Sequence, residues 1–256
     1  MLNTRQKEFI KELEAMNGSR FLLDTFSDAV GMMACAIEKG FSLKPAECEE
    51  RYMAIVGKYT KAQAEHAAHM LAIVVQGLSE RRETFLGPVL EEIGAANTKN
   101  GQFLTPVSVS NLCSRITAGD IAAKHKVGDL VSVNEPSCGA GVMLISQGEA
   151  LVAAGIPQRD IFIIGGDIDA RACDIAFIEL SLLGYAARID HQDALTLKRY
   201  SRPRWTVGYY LHGTQWRENR GKREDGAEPR QSPAKTSPIW CKGRSCNAAN
   251  SKELRD

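Results

Sequence analysis

Between residues 130 and 195 the chain alternates three short β-branched runs with two apolar helical stretches, and few folds accept that alternation. The runs are "DLVSVNEPSCGAG", "DIFIIGGDID" and "AARIDHQDAL"; the stretches between them cover residues 142–154 and 170–183. Strand, helix, strand, helix, strand is how right-handed crossovers build a parallel sheet. The first run ends in Gly139-Ala140-Gly141. Two glycines so close mark a backbone that must approach something closely, either another element or a ligand. A strand that enters such a turn and leaves it as a helix presents backbone N–H groups and a positive dipole end, where phosphate or carboxylate can bind.

Upstream the periodicity is different. From Thr4 to about Ala96 apolar residues recur every three or four positions, as in "FLLDTFSDAVGMMACAIE" and "KAQAEHAAHMLAIVVQGL". This spacing predicts four or five helices, with breaks near Asn17-Gly18, Gly40 to Pro45, Tyr59-Thr60 and Gly87-Pro88. The linker "NTKNGQFLTP" then leads to a helix for which Thr105 is the expected N-cap and Pro106 the first helical residue. Beyond Gly213 the sequence is rich in charge, Ser, Pro and Gly and reads as a disordered tail. The fold class expected is α/β: a Rossmann-like core at residues 97–213, preceded by an all-helical region at 1–96 and followed by a tail at 214–256.

Composition narrows the function classes. With 44% hydrophobic and 25% charged residues in 256, the chain has ordinary globular usage and room for a large core. No apolar run of about 18 residues predicts a membrane helix. The charged amino terminus lacks a signal-peptide core, so a cytoplasmic location is expected. Seven cysteines, an odd number among apolar neighbours, point to reduced thiols. Cys241 and Cys246 have no histidine near them. His66 and His69 share a helix face but show no third ligand in sequence, so no metal is expected. A net charge of +1 gives no global attraction to nucleic acid.

The dinucleotide pattern GxGxxG is not met, because Leu144 stands where a third glycine belongs; a nicotinamide-dependent oxidoreductase is disfavoured on that ground. Asp167, at the carboxyl end of the second run, is placed to accept hydrogen bonds from both hydroxyls of a ribose. It could instead cap the following helix, for which Asp169 is an equally good choice. An adenosine ligand with an amino-acid end fits both the glycine turn and this acid.

In order, "GQFLTP", "NEPSCGAG", "GGDIDARACDIAFIELSLLGY" and "HQDAL" resemble the catalytic core of adenine-N6 DNA methyltransferases of the type I modification-subunit kind, in a small phage- or plasmid-like form. Four ordered motifs are specific where each alone is weak. The resemblance implies S-adenosylmethionine as cofactor and DNA as substrate. It places Phe103, Thr105 and Pro106 at the methionine end of the pocket. Glu135, Pro136, Ser137, Cys138, Gly139 and Gly141 form the loop around the methionine portion. Asp167 takes the ribose, Ile168 the face of the adenine, and Asp193 the adenine amino group.

The resemblance has one gap. Methylation of adenine N6 requires acceptors for the amino hydrogens of a flipped base. The family supplies them with Asn, Asp or Ser followed by two prolines and an aromatic residue. After Asp193 the strand-like run is "RWTVGYYLHG", with aromatic residues suited to stacking on a base but no such motif, and "TSPIW" near Trp240 has one proline in polar surroundings. No catalytic residue is assigned. Three readings stay open: a diverged or truncated enzyme, one completed by a partner subunit or a second copy, and a non-catalytic cofactor- or DNA-binding regulatory or decoy protein.

Overall fold

The computed structural model describes residues 2–94, 105–126 and 128–212. Five helices come first: α1 (Thr4–Asn17), α2 (Leu22–Lys39), α3 (Pro45–Val56), α4 (Lys61–Glu80) and α5 (Leu86–Gly94). Capping boxes start two of them, Asn3 with Gln6 for α1 and Thr60 with Gln63 for α4. Their buried faces carry Phe9, Leu13, Met16, Phe26, Met70 and Val74, all fully buried. Side chains of this size each contribute about 1.5–3 kcal/mol when removed from water. The break expected at Gly87-Pro88 falls earlier, at residues 81–85; Gly87 and Pro88 lie in the first turn of α5, where a missing proline N–H costs no helical hydrogen bond.

The second half holds α6 (Val107–Ala122), β1 (Val131–Glu135), α7 (Val142–Ala153), β2 (Ile161–Asp167), α8 (Ala170–Leu182), β3 (Ala186–His191) and β4 (Arg204–Trp205). Strand order is β1-β2-β3-β4, with β1, β2 and β3 parallel. The α6 start shifts by one residue: Pro106 is the N-cap, with an extended ψ of 137°, and Thr105 lies outside the helix. Two corrections concern the end of the sheet. β4 is antiparallel to β3, so the sheet is mixed rather than wholly parallel. Among the described residues of "RWTVGYYLHG", 204–212, only Arg204 and Trp205 form a strand, and residues 207–212 turn helical. The cause is local: Thr206 accepts from Ala187 N and donates to Tyr185 O, and a Cβ at Gly208 would lie 2.5 Å from Tyr185 O, so the chain folds back against β3 instead of continuing along it.

α7 packs on β1 and β2, and α8 on β2 and β3. Right-handed crossovers in this strand order set both helices on one face of the sheet. α8 is buried all round, from Ala172 through Ser181, because α2 covers the side that faces away from the sheet. A single hydrophobic core therefore runs from Phe9 in α1 to Ile189 in β3. The residues expected to form a tail lie outside the described residues.

Candidate cofactor site

The three parallel strands end on one edge of the sheet, with Glu135 opposite Gly165 and Asp167 opposite His191. There the chain makes its glycine turn. Cys138 N donates to Gly166 O at 2.8 Å, and Gly141 N to Cys138 O at 2.9 Å. Gly139 and Gly141 adopt φ of +52° and +85°, the left-handed region that disfavours a side chain. A Cβ on Gly141 would also lie 3.1 Å from Ala176 Cβ, so this glycine answers to the close approach of α8.

Asp167 joins the turn to the second strand. Its Oδ2 accepts from Gly139 N at 2.8 Å and its Oδ1 from Asp169 N at 2.9 Å. Each carboxylate oxygen retains capacity for a further donor, so the group can hold the turn and still accept from hydroxyls. Capping of α8 falls to Asp169, whose side chain accepts from Arg171 N at 2.9 Å.

The other predicted residues gather around this edge to different degrees. Ser110 Oγ donates to Val142 O at 3.3 Å, which seats the start of α6, with exposed Thr105 and Pro106 just before it, beside the start of α7. Phe103 lies outside the described residues. Glu135 is half-buried, and that burial raises its pKa above the ordinary carboxylate range. Pro136 and Ser137 are exposed and Cys138 is buried, its thiol pushed well up by desolvation and unsuited to nucleophilic work. Ile168 stands 58% exposed next to Asp167, an apolar surface open to a planar ligand. Asp193, two residues past β3, accepts from Leu195 N at 2.8 Å and Thr196 N at 3.2 Å, and the first of these bonds leads in holding its pKa low. In this arrangement Asp193 serves its own loop.

Sequence reasoning missed two features. His191, facing Asp167 across the β2–β3 register, sets Nε2 3.1 Å from Ile168 O and its ring 5.0 Å from that of Tyr200. Its place in "HQDAL" was the only signal. The second is a cleft of about 550 Å³ between α2, α3, α8 and the segment after β3. Its charges form a chain: Arg51 pairs with Asp174 (2.5 Å), Asp174 with Arg204, Arg204 with Glu38 (2.7 Å), Glu38 with Arg202 (2.7 Å) and Arg202 with Glu47 (2.8 Å). All three guanidinium groups are thus engaged by carboxylates, and no local pattern announces partners this far apart in sequence.

The family model for N-6 DNA methylases matches residues 86–223. Among solved structures, a protein from Vibrio vulnificus YJ016 described as a modification subunit of a type I restriction enzyme is 19% identical, with a TM-score of 0.35; the match covers 58% of this chain. This chain spans only 28% of that subunit's length. A protein from Listeria monocytogenes described as a class I S-adenosylmethionine-dependent methyltransferase is 14% identical, with a TM-score of 0.45; the match covers 85% of this chain and 70% of that one. No curated protein matches this chain.

Proposed function

Because the chain belongs to the N-6 DNA methylase family, we propose that it holds S-adenosylmethionine at the carboxyl ends of β1, β2 and β3 and serves methylation of adenine N6 in DNA. The observation that carries this reading is the Asp167 carboxylate, tied to Gly139 N at 2.8 Å and flanked by exposed Ile168. The residues fit the group by chemistry. An acid at the end of β2 suits a ribose diol, an apolar side chain beside it suits an adenine face, and a glycine turn at the start of α7 suits the polar methionine portion. The bound cofactor would supply an electrophilic methyl group on sulfonium sulfur.

The chain's own contribution to that site is orientation. Asp167 fixes Gly139, the Gly141 turn fixes the start of α7, and the burial of Cys138 and Ala140 keeps the base of the turn dry. The target base is a different matter. The sequence contains no two consecutive prolines, and β4 with its following helical turn offers Trp205, Tyr209 and Tyr210 in place of a carboxamide loop. The isolated chain accordingly binds cofactor and transfers methyl groups to DNA weakly or not at all, since loss of assistance to the amino group costs about a hundredfold or more in rate. A partner subunit or second copy supplying the base-holding group is compatible with this reading. A purely regulatory cofactor- or DNA-binding role is the second reading, favoured by the same missing motif.

The test joins calorimetry with S-adenosylmethionine to tritium transfer from labelled cofactor into unmethylated DNA. Binding without transfer is the expected result. Absence of cofactor binding refutes the proposal, and robust adenine methylation refutes its catalytic half and directs attention to Tyr209, Tyr210 and His212.

A further inference from the structure

α1 and α4 pack side by side in the helical region, and one point of their contact is chemically distinct. Glu12 of α1 reaches His66 and His69, which lie three residues apart on the same face of α4. Glu12 Oε2 is 2.7 Å from His66 Nδ1 and 3.4 Å from His69 Nδ1, and the three ligand atoms lie within 4.8 Å of one another. The two imidazole rings stand at 90° with centroids 6.1 Å apart, so they approach the common point from different directions.

We propose that Glu12, His66 and His69 form a binding site for a zinc-class divalent cation that clamps α1 to α4. Two imidazole nitrogens and one carboxylate oxygen are a donor set suited to zinc and its late first-row neighbours, whereas magnesium and calcium prefer oxygen alone. Around a tetrahedral ion with bonds of about 2.1 Å, ligand atoms stand about 3.4 Å apart. The Glu12–His69 pair already has that spacing. The Glu12–His66 pair reaches it by a separation of under 1 Å or so, within the rotamer freedom of half-buried side chains. The side chains of Glu12 and His66 are 27% and 30% exposed and that of His69 is 67% exposed, so two ligands are anchored and the third borders solvent. The remaining coordination position is open to water or to a donor from another molecule. In sequence the histidines lacked a third ligand because it arrives from a helix more than fifty positions away.

The experiment titrates the metal-free full chain with Zn2+ by calorimetry, and with Co2+ by visible absorption. Thermal unfolding is then followed with and without Zn2+. One strong binding event is expected, with cobalt bands of nitrogen and oxygen ligation and no thiolate charge-transfer band, and the unfolding midpoint rises when zinc is added. His69→Ala and Glu12→Gln each weaken that event at least about tenfold and abolish the zinc-dependent rise. His69 is exposed and Gln retains the shape of Glu, so both variants keep the fold. Equal zinc binding by wild type and the His66→Ala/His69→Ala double variant overturns the site, as does a wild-type chain that binds no zinc. Binding that leaves the midpoint unmoved overturns the clamp.

Discussion

Glu179 makes the pH dependence of stability a measurable property of one side chain. It is fully buried in α8, and its Oε1 accepts from Phe85 N at 2.8 Å and Leu86 N at 2.5 Å, the backbone that opens α5. Its Oε2 is buried with no hydrogen-bond partner among the described residues. Desolvation outweighs the two N–H donors and pushes its pKa from 4.5 up to about 7. The folded state therefore holds this proton more tightly than the unfolded chain does. Its contribution is most stabilising below pH 4.5 and is lost as pH rises through 7. At 1.36 kcal/mol per unit, the loss between pH 5 and pH 8 is roughly 2.5 kcal/mol. Glu179→Gln keeps an oxygen for Phe85 and Leu86 and has no charge to desolvate. The variant should exceed wild type by under about 1 kcal/mol near pH 5 and by roughly 3 kcal/mol at pH 8. Urea unfolding at half-unit intervals from pH 5 to 8, both proteins side by side, reads the difference directly. Parallel pH profiles, or a variant less stable than wild type at pH 8, would refute the reasoning, because every other titrating group is common to both.

Asp167→Ala should weaken S-adenosylmethionine binding by roughly 1.5–3 kcal/mol in calorimetry through loss of a charged acceptor. Asp169→Ala should leave that affinity nearly unchanged and lower stability by about 1 kcal/mol, since it caps α8. Reversed effects would exchange the roles given to the two acids. The glycines separate in the same way. Gly141→Val should cost about 2 kcal/mol or more of stability in denaturant unfolding, from a φ of +85° and contact with Ala176. Gly139→Val should chiefly abolish cofactor binding, and a variant that still binds normally removes Gly139 from the site.

What the sequence announced was whatever repeats at short range. The strand-helix alternation places α7 and α8 to within a residue and encloses β1, β2 and β3 in the three quoted runs, because buried parallel strands are β-branched and their crossovers are helical. The glycine turn and Asp167 were legible for the same reason, being successive ends of those strands. Sequence alone leaves the cap of α8 open between Asp167 and Asp169, since either acid suits an N-cap, and the bond from Arg171 N gives it to Asp169. Arg204 pairing with Glu38, 166 positions earlier, leaves no mark on either neighbourhood. Nor does Glu179 reaching the first turn of α5. The continuation past β4 reads as strand because aromatic residues favour strands generally, whereas here Trp205 and Tyr209, with ring centroids 4.2 Å apart, pack on each other at a reversal of the chain.

The all-round burial of α8 bears on how the molecule can be divided. One side of the helix belongs to the sheet and the other to α2, and the carboxylates at positions 174 and 179 are satisfied from the helical region, by Arg51 and by the backbone of Phe85 and Leu86. A cut at residue 97 would strip half of the helix's apolar cover, take Arg51 away from Asp174 and take the Phe85 and Leu86 donors away from Glu179. The change of architecture near that residue is thus no seam for dissection. The proposed cofactor edge leans on Asp167, just before α8, and on Ala176, midway along it, so the amino-terminal helices that cover α8 underlie that edge even though none of the residues proposed for the ligand comes from them.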